Sequence, residues 1–306
     1  MRQIPSLLPY MSLNDYLPHT RIKAGIAYML CGAMSLALSD SLAKWLGAFY
    51  SPMQLLFLRT ALALPVLVLL VVATLGPTAL KTRNFPVHLM RGAINVVAAV
   101  CFYMGLTRLP LAYATAIAFC APLFITAISV VLLKERVSFG GWAAVLLGFV
   151  GVLFVVQPIG ETIQWAALLP VGTAFFYALM MVSARWIRQG EHMLTTMLYI
   201  VLCQLVFTVV PLAWSWQPLQ WQHVWHLAGL ALFSTMGLGL ITQAFRIAPA
   251  STVAPFDYST LIWATLLGLW VWHEQPNLGF YLGTSLIVLA GLYTAWSGKA
   301  RPAPGL

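Results

Sequence analysis

Apolar runs fill this chain almost end to end. Short polar connectors such as Thr82-Arg83-Asn84-Phe85-Pro86 and Arg188-Gln189-Gly190-Glu191 break them. A helix needs roughly 20 mostly apolar residues to cross a bilayer. Ten segments have that character: 24–46, 52–73, 87–105, 111–133, 140–157, 165–186, 194–214, 225–245, 250–272 and 279–297. Pro110, Pro249 and Gly279 stand where helices should begin or end. Pro65, Pro122 and Pro170 fall inside spans, where proline frees a carbonyl and tends to kink the helix beside packed neighbours or a cavity. The expected fold class is an all-α polytopic membrane protein with ten transmembrane helices. Residues 1–23 hold three prolines and no unbroken apolar core, so they read as a cytosolic lead-in rather than a signal peptide, with Met11 an alternative start to Met1. Residues 298–306 read as a cytosolic tail.

Composition sharpens this picture. Hydrophobic residues make up 61% of the 306 and charged residues 8%, too little polar surface to cover a soluble core. The net charge of +9 is spread over short loops rather than gathered on one face, which argues against a nucleic-acid partner. The charges do orient the chain. With the N-terminus in the cytosol, twelve of the 16 Lys and Arg residues fall on the cytosolic side and only Arg108 in an outer loop, while Lys44, Arg59 and Arg91 lie in or near spans. Both termini are therefore expected in the cytoplasm. Cys31, Cys101, Cys120 and Cys203 lie in apolar segments without paired spacing, as small buried hydrophobes do.

The chain also repeats itself. Slid by 139 residues, the segment from Pro110 falls on the segment from Pro249, matching Glu135 with Glu274 and Gly140 with Gly279. Near the starts of the halves the shift is 141, and Ala43-Lys44-Trp45 meets Ala184-Arg185-Trp186. The expected organisation is two five-helix repeats, 24–157 and 165–297. Five is odd, so the second repeat is inverted. Inverted repeats are an architecture of secondary transporters, with solute bound near the midplane between the halves.

Several residue runs resemble the drug/metabolite transporter superfamily, in its ten-helix EamA-like branch. They are Ala121-Pro122-Leu123-Phe124 followed by Leu132-Leu133-Lys134-Glu135-Arg136-Val137-Ser138, its second copy Trp272-His273-Glu274-Gln275-Pro276, and Leu56-Phe57-Leu58-Arg59 and Ser41-Leu42-Ala43-Lys44. The second copy keeps the Glu but carries Gln in place of Arg. The resemblance implies a carrier of small metabolites in a bacterial inner membrane, working by alternating access. It also implies that spans one, three, four, six, eight and nine form the core, and that amino acids, nucleotide-like compounds, S-adenosylmethionine and vitamins are the substrate classes to consider.

Ionisable groups within spans mark pathways or pairs. Asp40 and Lys44 share a helix face, and Arg59 on span two lies at a similar depth, roughly 10 Å from the outer edge. Either these three neutralise each other and hold spans one and two together, or they line the outer part of a solute path; Lys44 has the further option of snorkelling outward. Asp257 has three readings. It favours a positive helix start, pairs with Arg91 or Arg246, or binds a cationic substrate group or a coupling proton. Glu135 and Glu274 end helices at opposite faces, either as locally paired surface charges or as gate elements. Glu161 and Glu191 read as solvated loop charges. Phe102, Tyr103, Phe119, Phe124, Phe175, Tyr177, Tyr258 and Trp263 lie deep in spans, some as packing and some as cavity wall, with Asn95, Ser39, Ser129, Gln243 and Thr260 as hydrogen-bonding groups. Aromatic walls with sparse polar groups suit an amphipathic or ring-bearing solute. His223 and His226 have a metal-like spacing but no nearby acid or Cys, so they read as solvated loop residues. No phosphate-binding loop, zinc motif or nucleophile elbow is present; no catalytic residue, metal or cofactor is expected. The expected function is a secondary, non-ATP transporter of a small organic metabolite, working in the lipid bilayer as monomer or homodimer. The rival is a membrane-embedded enzyme or lipid-handling accessory subunit.

Overall fold

The computed structural model describes residues 19–134, 137–156, 165–187, 191–248 and 250–297. The described chain is helical, without strands. The first half consists of α1 (His19–Leu46), α2 (Pro52–Leu75), α3 (Phe85–Leu106), α4 (Leu111–Ala118), α5 (Ala121–Leu133) and α6 (Phe139–Val156). The second half is α7 (Leu168–Ser183), α8 (Met193–Ser215), α9 (Val224–Ile247), α10 (Ala250–Asp257), α11 (Ser259–Trp272) and α12 (Leu278–Ser297). Eight stretches are long and apolar enough to cross a membrane, one of them the α4–α5 pair, and α12 is a shorter apolar helix. With α10–α11 these make ten passes. An even number puts residues 19 and 297 on one face, called here the near face; the opposite one is the far face.

The halves match in backbone detail. Lys134 and His273, 139 residues apart, are the non-glycine residues with positive φ (55° and 52°) among those described. Each closes its helix in the left-handed conformation, with its N–H turned back to the carbonyl of Ser129 or Gly268. Those two acceptors are again 139 apart. Packing follows the same exchange: α1 lies on α9 as α7 lies on α3, and α1 on α11 as α7 on α5, while α2 pairs with α8 and α6 with α12.

The crossing of α6 and α12 rests on small residues. A Cβ on Gly151 would come within 2.7 Å of the Gly283 carbonyl oxygen, so the two backbones touch. A Cβ on Gly148 would meet Ala290 and one on Gly151 would meet Ile287, two approaches that exchange with each other when the halves are swapped. Without water to drive helices together, such close approach is what packs them in lipid.

Two expected spans are broken. Span four parts at residues 119–120 and span nine at Tyr258. Pro122 explains the first break: it has no N–H for the Ala118 carbonyl, and its ring crowds that oxygen. The matched position in the second half is Leu261, so a different device serves there. The Thr260 hydroxyl donates to the Asp257 carbonyl at 2.8 Å and satisfies the freed acceptor. Pro65, by contrast, sits in an unbroken α2, and Pro170 in the first turn of α7, where proline is tolerated.

Loops tie the halves together at both faces, and two sequence expectations fail there. Glu191 is not a solvated loop charge: its side chain is only 9% exposed and meets His88 Nε2 at 2.6 Å. It also accepts bonds from the Thr82 hydroxyl and the Asn84 amide. Burial pushes its pKa up, but the hydrogen bonds from Asn84, His88 and Thr82, with the His88 charge, outweigh this and hold it below the usual glutamate value. A depressed carboxylate pKa stabilises the fold above its unfolded value and loses that contribution as pH falls through the folded one. Glu191→Gln should therefore cost about 2 kcal/mol near neutral pH and nothing once the medium is acidic enough to protonate wild-type Glu191. Thermal unfolding of both proteins across that range checks this. At the far face His223 is buried rather than solvated. Its Nδ1 lies 3.0 Å from the Tyr50 hydroxyl and its ring is edge-on to Trp45, while His226 stacks on Trp45 with centroids 4.2 Å apart. Beside them Gln54 donates to the Gln217 carbonyl at 2.7 Å and accepts from its N–H at 2.8 Å. Both surprises arise because these loops cover another loop instead of facing water.

Candidate functional site: a hollow at two broken helices

The two breaks meet at the centre of the bundle. Phe119 and Tyr258, 139 residues apart, pack ring against ring with centroids 5.2 Å apart. Around them is a hollow of about 930 Å³. From α5 it is lined by Ala121, Pro122, Ile125 and Thr126; from α7 by Thr173, Ala174, Tyr177 and Met181; from α10 by Ala254, Pro255 and Asp257. Phe102 closes one side and Gly291, Leu292 and Thr294 of α12 another. The hollow lies in the near half of the bundle, where α5 and α10 stand apart, whereas α4 and α11 pack together in the far half.

Of the sequence candidates, Phe119, Tyr177, Asp257 and Tyr258 are gathered here. Asp257 does not stand at a helix start; it ends α10 at the break. Nor does it pair with Arg91 or Arg246: among the described residues no ion pair reaches it. Arg91 is buried and donates from Nε to the Met180 carbonyl at 3.3 Å, and Arg246 is exposed. Thr126 and Thr173 are wall residues beyond those expected from the sequence. The signal that finds them is their place one or two turns from the break at Pro122 and from Tyr177. Asn95, Tyr103, Gln243 and Trp263 lie outside the lining.

Tyr103 belongs to a second polar cluster. Arg59 donates from Nη1 to its hydroxyl at 3.0 Å and lies over its ring, 5.7 Å from the centroid. Asp40 lies near enough to interact with both electrostatically, yet makes no direct ion pair with Arg59. The expected fastening of span one to span two does not occur: α1 packs on α9, α10 and α11, and α2 on α8 and α9, so Arg59 reaches α3 instead.

A third cluster sits at the far face. Lys44 does not snorkel. Its Nζ is 2.5 Å from Glu274 Oε1 and donates to the Leu109 carbonyl at 2.6 Å, below the Trp272 ring. The other oxygen, Oε2, accepts the Leu111 N–H at 2.8 Å. The two side chains are 12% and 14% exposed. One carboxylate thus ties α11 to α1 and to the start of α4, and Asn277 adds a bond from its N–H to the Tyr113 hydroxyl at 3.1 Å. Glu135, the repeat-mate of Glu274, lies outside the described residues, as do Glu161 and Pro249.

Known proteins share this architecture. A solved crystal structure superposes with a TM-score of 0.61 over 92% of this chain and 99% of its own, at 17% identity, a likeness of fold. A riboflavin transporter of Vibrio cholerae is 29% identical over 280 residues, 90% of this chain and 94% of its own. An S-adenosylmethionine uptake transporter of Rickettsia bellii is 27% identical over 94% of this chain and 98% of its own. A pseudopaline exporter of Pseudomonas aeruginosa is 25% identical over 88% and 95%. The EamA-like transporter family matches twice, over residues 23–157 and 164–296, once on each half of the bundle. With nearly its whole length inside those two matches, the chain belongs to the EamA-like transporter family.

Proposed function

We propose that the protein is a secondary transporter that carries a small organic metabolite across a bacterial inner membrane by alternating access, with both termini in the cytoplasm. One observation carries the reading. Two halves of matched backbone pack unequally: α4 lies on α11 at the far face, but their counterparts α10 and α5 are parted by the hollow at the near face. Exchange of the two arrangements would open the hollow to the other side. The basic residues Arg21, Lys23, Lys81, Arg83, Lys134 and Arg246 crowd the near face, which supports reading it as the cytoplasmic one and the conformation as inward-open.

In this reading Lys44 and Glu274 form the outer gate, and Asp40, Arg59 and Tyr103 stand between gate and hollow. Phe119, Tyr177, Asp257 and Tyr258 contact the solute, and Asp257 is the hollow's site for a coupling proton. A single chain holds both halves and the hollow, so a monomer suffices. The relatives named for riboflavin, S-adenosylmethionine and pseudopaline keep vitamins, nucleoside-like compounds and amino-acid derivatives in view as cargo.

Reconstitution tests the proposal. Proteoliposomes should exchange labelled riboflavin or S-adenosylmethionine without ATP. Ala118→Trp, which fills the hollow beside the first break, should slow exchange at least tenfold. A need for ATP, or undiminished exchange in this variant, would refute carriage through the hollow.

A further inference from the structure

Asp257 raises a question that the backbone alone leaves open. Its repeat-mate, 139 residues earlier, is Ala118, which ends α4 at the first break as Asp257 ends α10 at the second. Both line the same hollow. The broken-helix geometry therefore needs no carboxylate, since the first half makes the same break with a methyl group.

The carboxylate is also expensive where it stands. It is set among Phe119, Tyr177, Tyr258, Pro122 and Pro255, with no Lys or Arg among the described residues lining the hollow. Nothing described forms an ion pair with it, while the other inward acids have cationic neighbours, Arg59 near Asp40 and Lys44 on Glu274. A lone acid in an aromatic cavity gains most from a partner that brings positive charge with it. The rings supply the rest. Tyr258 is fixed, because its hydroxyl lies where a Cβ on Gly291 would be, and its ring stands 5.2 Å from that of Phe119. Aromatic faces attract cations and stack on flat rings.

We infer that the hollow selects solutes bearing a positively charged centre next to a flat ring, with the charge at Asp257 and the ring against Phe119 and Tyr258, and that it rejects anions of the same shape. This rests on the transport reading above and adds a charge rule to it.

Three probes of one bicyclic shape test the rule: N-methylquinolinium, neutral quinoline and quinoline-2-carboxylate, titrated calorimetrically into the purified full chain at pH 7.5. Wild type should bind the cation at least tenfold more tightly than quinoline, and the carboxylate most weakly. Asp257→Asn should bring the cation to within about twofold of quinoline and leave quinoline unchanged, while Asp257→Glu should keep the ranking. Thermal unfolding of each variant verifies that it is folded. A cation preference that survives Asp257→Asn, equal binding of all three probes, or no binding of the cation to wild type would each overturn the inference. The transport reading is judged separately, by the effect of Ala118→Trp on solute exchange. Equal binding together with exchange blocked by that variant would remove the charge rule and leave the carrier; undiminished exchange would remove the carrier itself.

Discussion

Glu274→Gln should unfasten the far face. The substitution leaves Lys44 buried against the Leu109 carbonyl without its counter-charge, and replaces a carboxylate that also holds the Leu111 N–H. Breaking one partner of a mostly buried ion pair costs about 3 kcal/mol or more, because the remaining charge is stranded. That cost falls on the far-closed arrangement, so the closed-to-open ratio at this face should drop on the order of a hundredfold. Ala114, buried on α4 beneath the cluster, is the place to read it. In a background lacking the native cysteines, Ala114→Cys should react with a membrane-impermeant maleimide about a hundred times faster when Glu274→Gln or Lys44→Met is added. An exchange of the two charges, Lys44→Glu with Glu274→Lys, restores the ion pair but not the backbone bonds at Leu109 and Leu111, and should recover only part of the protection. Labelling that ignores all three changes would remove Lys44 and Glu274 as a gate.

The second large effect is expected at the crossing of α6 and α12. A Cβ on Gly283 would fall far inside contact distance of the Gly151 carbonyl, and backbone there has nowhere to retreat. Gly283→Leu should destabilise the bundle by about 3 kcal/mol or more, at the upper end of overpacking penalties, and lower its detergent melting temperature sharply. Gly239→Leu is the control, since a Cβ there meets nothing within 4 Å. Equal melting of the two variants would show that the helices do not cross as closely as described.

The fold is largely legible in the sequence. Ten apolar runs, the loop charges and the 139-residue shift led to ten passes and to inversion. The breaks are not legible, because Leu111–Leu133 reads as one continuous apolar run, the polar groups of Ala250–Trp272 read as side-chain chemistry rather than a change of backbone, and hydropathy does not register a helix that stops and restarts within the membrane. Pro122 was visible but suggested only a kink, and Leu261 at the matched place suggested nothing. At the site, Phe119, Tyr177, Asp257 and Tyr258 stood out as aromatic or charged groups in hydrocarbon-like surroundings. The partner of Lys44 lies 230 residues away and could not be found by helical spacing, although both charges sit near the outer ends of their spans. Glu191 and His223 depart from expectation for a general reason: a polar residue in a short connector reads as wet, and that inference fails where connectors from opposite halves cover each other.

Ala118 and Asp257 share a backbone position but not a chemistry, and this bears on energetics beyond selectivity. Two identical repeats would give inward- and outward-facing forms of equal free energy, and the empty carrier would idle evenly between them. Here the wall contributed by one repeat bears charge and the other does not, so the two orientations hydrate a carboxylate to different extents. Under the proposed exchange of the halves the degeneracy is lifted, and the unloaded protein is expected to rest in one orientation, with different apparent affinities for its solute on the two sides of the bilayer.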